Sequence, residues 1–196
     1  MKPFFFSYKS LNITWFMFFT ISLVSISSFI TPILGKEAGE DKKKIDDIFF
    51  IVLLSGFIGA RLSYAFINMN LYKGNIFNIF KISESNLSLV GGLIFGLVTL
   101  FILSKKDKMN FNNLLKIFII PFYFSMAVGI WVVVFNKFLL PISISNNIIK
   151  VLSISLIFLV GMILELFIPK KEKHKYLTAI ILTLVIGLYR MIIFLG

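Results

Sequence analysis

The stretch Gly56-Phe-Ile-Gly-Ala-Arg-Leu-Ser-Tyr-Ala-Phe-Ile-Asn68 sets an arginine in the middle of an apolar run long enough to cross a bilayer. At helical spacing Gly56, Ala60 and Ser63 form a stripe of small residues that lets another helix approach closely. Arg61, Tyr64 and Asn68 form a polar stripe beside it. An arginine inside a bilayer costs about 3 kcal/mol or more unless it faces a partner, a wet cavity or a headgroup. Arg61 is therefore read as a binding residue, against the alternative of a side chain that snorkels to the interface.

The surrounding chain has the same character. Its 196 residues are 58% hydrophobic and 16% aromatic, and the apolar residues fall in long blocks. Helices are expected at 13–34, 48–67, 87–103, 114–140, 148–168 and 177–195, each near the roughly 20 residues that a span requires. The fold class is all-α, a polytopic membrane bundle of about six transmembrane helices forming a single integral membrane domain over 1–196. The first block is read as a retained helix and not a removed leader. Cysteine is absent, which excludes disulfides, thiolate metal sites and a cysteine nucleophile.

The net charge of +11 comes from lysines beside the apolar blocks, where anionic membrane lipids are nearer partners than nucleic acid, which is not expected. Lys36, Lys42, Lys43, Lys44, Lys105, Lys106, Lys108, Lys116, Lys170, Lys171, Lys173 and Lys175 occupy alternate loops. The positive-inside rule then puts these twelve in the cytoplasm and both termini outside.

Eighteen of the 20 basic residues are lysine, and both arginines, Arg61 and Arg190, lie inside apolar blocks. Where lysine serves for plain positive charge, the planar fork of arginine suggests phosphate. Each arginine falls 13 residues beyond the inner start of its helix, about 20 Å up a core about 30 Å thick. Asn136, Gly91 and Gly92 fall at the same outer level, so Arg61, Arg190, Asn136, Gly91 and Gly92 are the candidate phospholipid headgroup site. Glu165 is read as structural, reaching the inner interface or pairing with a lysine. His174 is read as a solvated loop residue. No cluster of His, Asp or Glu has ligand spacing, so neither a metal nor an organic cofactor is expected.

These residues carry a resemblance. Gly56 to Asn68, Ser88-Leu-Val-Gly-Gly-Leu-Ile-Phe-Gly96, Met126-Ala-Val-Gly-Ile-Trp-Val-Val-Val-Phe-Asn136 and Gly187-Leu-Tyr-Arg190, with Trp15 in the first helix, together resemble prolipoprotein diacylglyceryl transferase. The resemblance implies an enzyme of the bacterial plasma membrane that moves diacylglyceryl from phosphatidylglycerol to the lipobox cysteine thiol of a prolipoprotein. Such a transfer needs a base for the thiol and cations for the phosphate leaving group. The chain departs from the family pattern on the first count. The family histidine of its His-Gly-Gly motif falls on Val90, the arginine of its Gly-Arg-x-Gly-Asn signature on Ile130, and that signature's asparagine on Val133. Phe16, Lys116 and Phe194 stand at further changed positions. Candidate bases at the outer level are Tyr64, Tyr189 and Glu84. Alternatives are an inactive relative that binds phospholipid or lipoprotein precursor, and a small anion transporter subunit using the two arginines.

Overall fold

The computed structural model describes residues 4–8, 11–72, 86–135, 148–167 and 177–194. Among the described residues each apolar block foreseen as a span is mostly helical. The helices are α1 (Trp15–Glu37), α2 (Lys42–Ile67), α3 (Leu89–Lys106), α4 (Phe111–Gly129), the short α5 (Val132–Phe135), α6 (Ile148–Phe167) and α7 (Leu177–Phe194). Five stretches are long and apolar enough to cross a membrane, with α4 and α5 counted as one, and α7 is a shorter apolar helix. Phe29, Phe66, Leu54 and Val160 point outward and exposed, as suits a helical membrane bundle whose solvent is lipid.

Local signals set the helix starts. Thr14 caps α1 by accepting from the Met17 amide at 3.1 Å, Ser88 caps α3 through the Gly91 amide at 3.2 Å, and Asn110 caps α4 through the Asn112 amide at 3.0 Å. The turn from α1 to α2 passes through Gly39 at φ +83°, a conformation that glycine takes without steric cost. α2 begins at Lys42, earlier than hydropathy indicates, because Lys42, Lys43 and Lys44 are good helix formers outside the apolar window.

Two features depart from the sequence reading. Residues Phe4–Tyr8 and Leu11–Thr14 form an antiparallel β-hairpin ahead of α1; hydropathy merged its apolar end with the helix. Its Phe5 ring stacks on Phe18 at 4.1 Å between centroids, and Trp15 stacks on Phe135 at 4.5 Å. Trp15 is thus a packing residue.

The second is the end of α4, foreseen as running to 140 but broken after Gly129. The Ser155 hydroxyl of α6 donates to the Ala127 carbonyl at 2.8 Å, the group to which the Trp131 amide would bond in a continued helix. The Trp131 amide turns instead to Val128 at 3.2 Å, and its indole donates to Ser155 at 3.3 Å. A bond between helices has replaced one within a helix.

α2 and α3 make the closest pair in the bundle. A Cβ at Gly92 would stand 3.0 Å from the Gly56 carbonyl and 3.2 Å from Ala60 Cβ, and one at Gly91 would collide with Ser63. The stripe Gly56, Ala60, Ser63 is therefore the packing face, as foreseen. Around this hairpin one buried cluster gathers Ile45, Ile48, Leu100 and Leu114 near the lysine-rich turns, and another gathers Tyr123, Ile154, Phe158 and Val185 among α4, α6 and α7. The turns α1–α2 and α3–α4 lie at the same end, where Lys44 reaches the Asp107 carbonyl at 3.2 Å.

Polar pairs also join helices within the bundle. Ser27 of α1 and Ser125 of α4 share a hydrogen bond of 2.9 Å. Ser27→Ala is expected to lower stability by about 0.6 kcal/mol, the usual worth of such a bond between membrane helices. Ser125→Ala should do the same, and the double variant should lose less than the sum. Unfolding midpoints in detergent micelles would measure all three.

Candidate functional site

Two cavities flank the start of α3. The first is a cleft of about 660 Å³ between the end of α2, the first turns of α3 and Arg190 of α7. Its walls are Leu62, Ala65, Phe66, Ile67, Ile94 and Phe95, and its side-chain polar groups are Ser63, Ser88 and Arg190. The second, of about 600 Å³, lies within the bundle among α1 to α4 and is apolar apart from a few hydroxyls, among them Ser27, Ser125 and Tyr189. No acidic side chain lines either cavity among the described residues.

The architecture explains why a cation reaches the cleft. Arg190 sits near the end of α7 and is exposed, with no acid paired to it among the described residues. The amino-terminal turn of α3, Ser88 to Gly91, lines the same space. The positive end of a helix dipole favours an anion there. A cation, two hydroxyls and a helix start beside an apolar wall together suit an anionic group attached to hydrocarbon chains.

Arg61 is used differently. It is only 6% exposed, so it does not snorkel to the interface. Its Nη1 donates to the Asn86 carbonyl at 3.0 Å, and its guanidinium lies 5.6 Å from the centre of the buried Tyr72 ring. The Ser88 amide donates to the Ala60 carbonyl at 3.0 Å. Arg61 thus ties the chain entering α3 to the middle of α2, and it lines neither cavity.

The remaining site candidates separate. Gly91 lines the cleft and Gly92 the inner cavity, because successive residues of α3 project to different sides of its contact with α2. Tyr189 lines the inner cavity, whereas its neighbour Arg190 reaches the cleft. Tyr64 lines neither, and its carbonyl accepts from Asn68 Nδ2 at 2.9 Å. Val90 lines the cleft, and Ile130 and Val133 line the inner cavity. Asn136, Glu84 and His174 lie outside the described residues. Glu165 is 5% exposed near the end of α6 and lines neither cavity. Among the described residues no group of three or more His, Cys, Asp or Glu could hold a metal ion.

Sequence reasoning did not anticipate Asn86, Tyr72 or Phe95 as parts of this region. A signal existed for Ser88, since serine three residues before Gly91 is an amino-terminal cap pattern. None existed for Asn86, whose contribution is a backbone carbonyl.

The sequence pattern of the prolipoprotein diacylglyceryl transferase family matches residues 3–194. The phosphatidylglycerol–prolipoprotein diacylglyceryl transferase of Clostridium kluyveri is 29% identical over 136 residues, covering 69% of this chain and 53% of that protein. The protein of the same name from Clostridium botulinum strain Loch Maree is 30% identical over 143 residues, covering 70% of this chain and 54% of that one. The one from Clostridium novyi is 28% identical over 137 residues, covering 70% and 53%. The chain spans about half the length of the curated relatives it matches.

Proposed function

Because the chain belongs to the prolipoprotein diacylglyceryl transferase family, we propose that it binds phosphatidylglycerol in the cleft beside Arg190 and transfers its diacylglyceryl group to a lipobox cysteine. The observation that carries this reading is the cleft itself, with an arginine that has no acid partner among the described residues and the start of α3 facing apolar walls. The guanidinium would hold the phosphate, and the walls formed by Phe66, Ile67 and Ile94 would meet the upper acyl chains.

In the reaction the thiolate sulfur forms a bond to the glyceryl carbon while that carbon's bond to the phosphate oxygen breaks. Glycerol phosphate leaves and takes up a proton equivalent to the one the thiol loses. Arg190 stabilises charge on the departing phosphate, the step at which such stabilisation lowers the barrier. Tyr64 and Tyr189 remain the candidate bases, although neither side chain lines the cleft. The lysines at the turns α1–α2 and α3–α4 face the cytoplasm in this reading, which sets the cleft at outer-leaflet depth in the plasma membrane with both termini outside.

A second reading is favoured by Val90 in the cleft and Ile130 at 7% exposure, where the family resemblance leads one to expect a histidine and an arginine. In it the protein binds phospholipid or lipoprotein precursor and does not catalyse transfer. Purified protein with labelled phosphatidylglycerol and a lipobox peptide separates the two, with a Cys→Ser peptide as control. Thiol-dependent label on the peptide is the expected result. Saturable lipid binding without transfer would replace it with the second reading, and absence of both would overturn each.

A further inference from the structure

Glu165 takes no part in either cavity, yet it is buried in α6. Its Oε2 accepts a hydrogen bond of 3.0 Å from Thr178 Oγ1 at the start of α7, and Thr178 is 1% exposed. Its Oε1 has no hydrogen-bond partner among the described residues, and neither has the hydroxyl of Tyr123, a fully buried residue of α4. The two orphaned oxygens belong to facing helices. Gly161 precedes Glu165 by one turn on the same side of α6, and a Cβ there would stand 3.3 Å from Tyr123 Cζ. Tyr123 and Lys116 are both close enough to Glu165 for electrostatic interaction with its carboxyl.

A buried polar atom without a partner is costly, the more so in a protein surrounded by lipid. Polar atoms that face each other without bonding directly, with further polar groups nearby, are the setting in which a buried water is held. We propose that Glu165 is the centre of a polar node, with Thr178 on one carboxyl oxygen and a bound water joining the other to the Tyr123 hydroxyl. We infer that this node positions α7.

The need for positioning follows from the other contacts of α7. Val185 packs on Gly161, where a Cβ would meet it at 3.0 Å, and the Tyr189 and Phe158 rings are 5.7 Å apart. Close packing sets how near α7 stands to α6, and the hydrogen bond from Thr178 adds a directional constraint on its register. Arg190 lies twelve residues beyond Thr178, roughly 18 Å along the helix. Glu165 would therefore act on the cleft as a positioning residue, through the helix and not by contact. That consequence rests on the headgroup reading; the node itself does not.

The test uses the absence of cysteine, which leaves two introduced cysteines as the sole labelling sites. Leu54 of α2 and Leu188 of α7 are exposed and line neither cavity. Spin labels at Leu54→Cys and Leu188→Cys in lipid nanodiscs report the separation of α7 from the α2–α3 hairpin by pulsed resonance. Glu165→Ala and Tyr123→Phe are expected to shift or broaden that distance, and Glu165→Gln, whose amide can serve both Thr178 and the water, to keep it. Phosphatidylglycerol binding should fall about tenfold in Glu165→Ala and stay within about twofold in Glu165→Gln.

A parental distance in both Glu165→Ala and Tyr123→Phe would overturn the inference. So would a Glu165→Gln distance as disturbed as that of Glu165→Ala, which would make the residue a plain ion-pair partner of Lys116. Tyr123→Phe keeps the core volume and decides the matter alone if Glu165→Ala does not fold. Failure of the parent to bind phosphatidylglycerol would overturn the headgroup reading and leave the distance test standing.

Discussion

Gly91→Ala is expected to destabilise the bundle by about 3 kcal/mol, the range for forcing a methyl group into a packed interface. The new Cβ would collide with Ser63 Cβ and Oγ and stand 3.0 Å from the Gly59 carbonyl. Both obstacles are part of α2 or directly attached to its backbone, so no rotamer change relieves them and the helices must separate. Separation would also disturb the bond from the Ser88 amide to the Ala60 carbonyl and widen the cleft wall. Gly96→Ala is the matched control. Its Cβ would meet only Val52 Cγ1, at 3.8 Å, an ordinary contact. Since alanine favours helix over glycine by about 1 kcal/mol, that variant should be neutral or slightly more stable. Denaturant unfolding in mixed micelles compares the two. Equal stability of both variants would mean that α2 and α3 do not approach as closely as described.

Arg190→Ala is expected to weaken phosphatidylglycerol binding by about thirtyfold, corresponding to about 2 kcal/mol for a charge-assisted contact. Arg190→Lys should recover part of this, because lysine keeps the charge and loses the bidentate fork. Stability should hardly change, since Arg190 is exposed and has no acid partner among the described residues. Arg61→Lys should give the opposite pattern. A lysine cannot reproduce both the bond to the Asn86 carbonyl and the face-on contact with Tyr72, so the loss is expected in the unfolding midpoint. Equilibrium binding to phosphatidylglycerol nanodiscs, with phosphatidylcholine nanodiscs as control, separates binding from folding. Unchanged binding in Arg190→Ala would remove the headgroup site from the cleft.

The contrast between the arginines marks where sequence reasoning runs out. Their like positions along two apolar blocks were legible, because hydropathy and rise per residue are local properties. Their different surroundings were not, since one meets Asn86 and Tyr72 while the other reaches across to α3. Similarly the stripe Gly56, Ala60, Ser63 was legible as a packing face. That the partner surface was the glycine pair of α3, with Gly91 and Gly92 on different sides of the contact, followed only from how the helices meet. Glu165 was read as structural, but its burial against Thr178 depends on a helix that begins 12 residues later. The break after Gly129 was hidden because Ser155, which captures the Ala127 carbonyl, lies in another helix.

By itself, then, the sequence determined a helical membrane bundle, its family, the approximate spans and the residues that no bilayer would accept without a reason. These properties follow from hydrophobicity and period, which each segment carries whatever its neighbours are. Tertiary structure alone decided which arginine is buried against Asn86 and Tyr72 and which reaches a cleft, which side of α3 each glycine serves, and where helices stop for bonds made between them. Those outcomes depend on which side of one helix meets another, and within lipid that choice is made by close packing and directional hydrogen bonds between segments far apart in the chain.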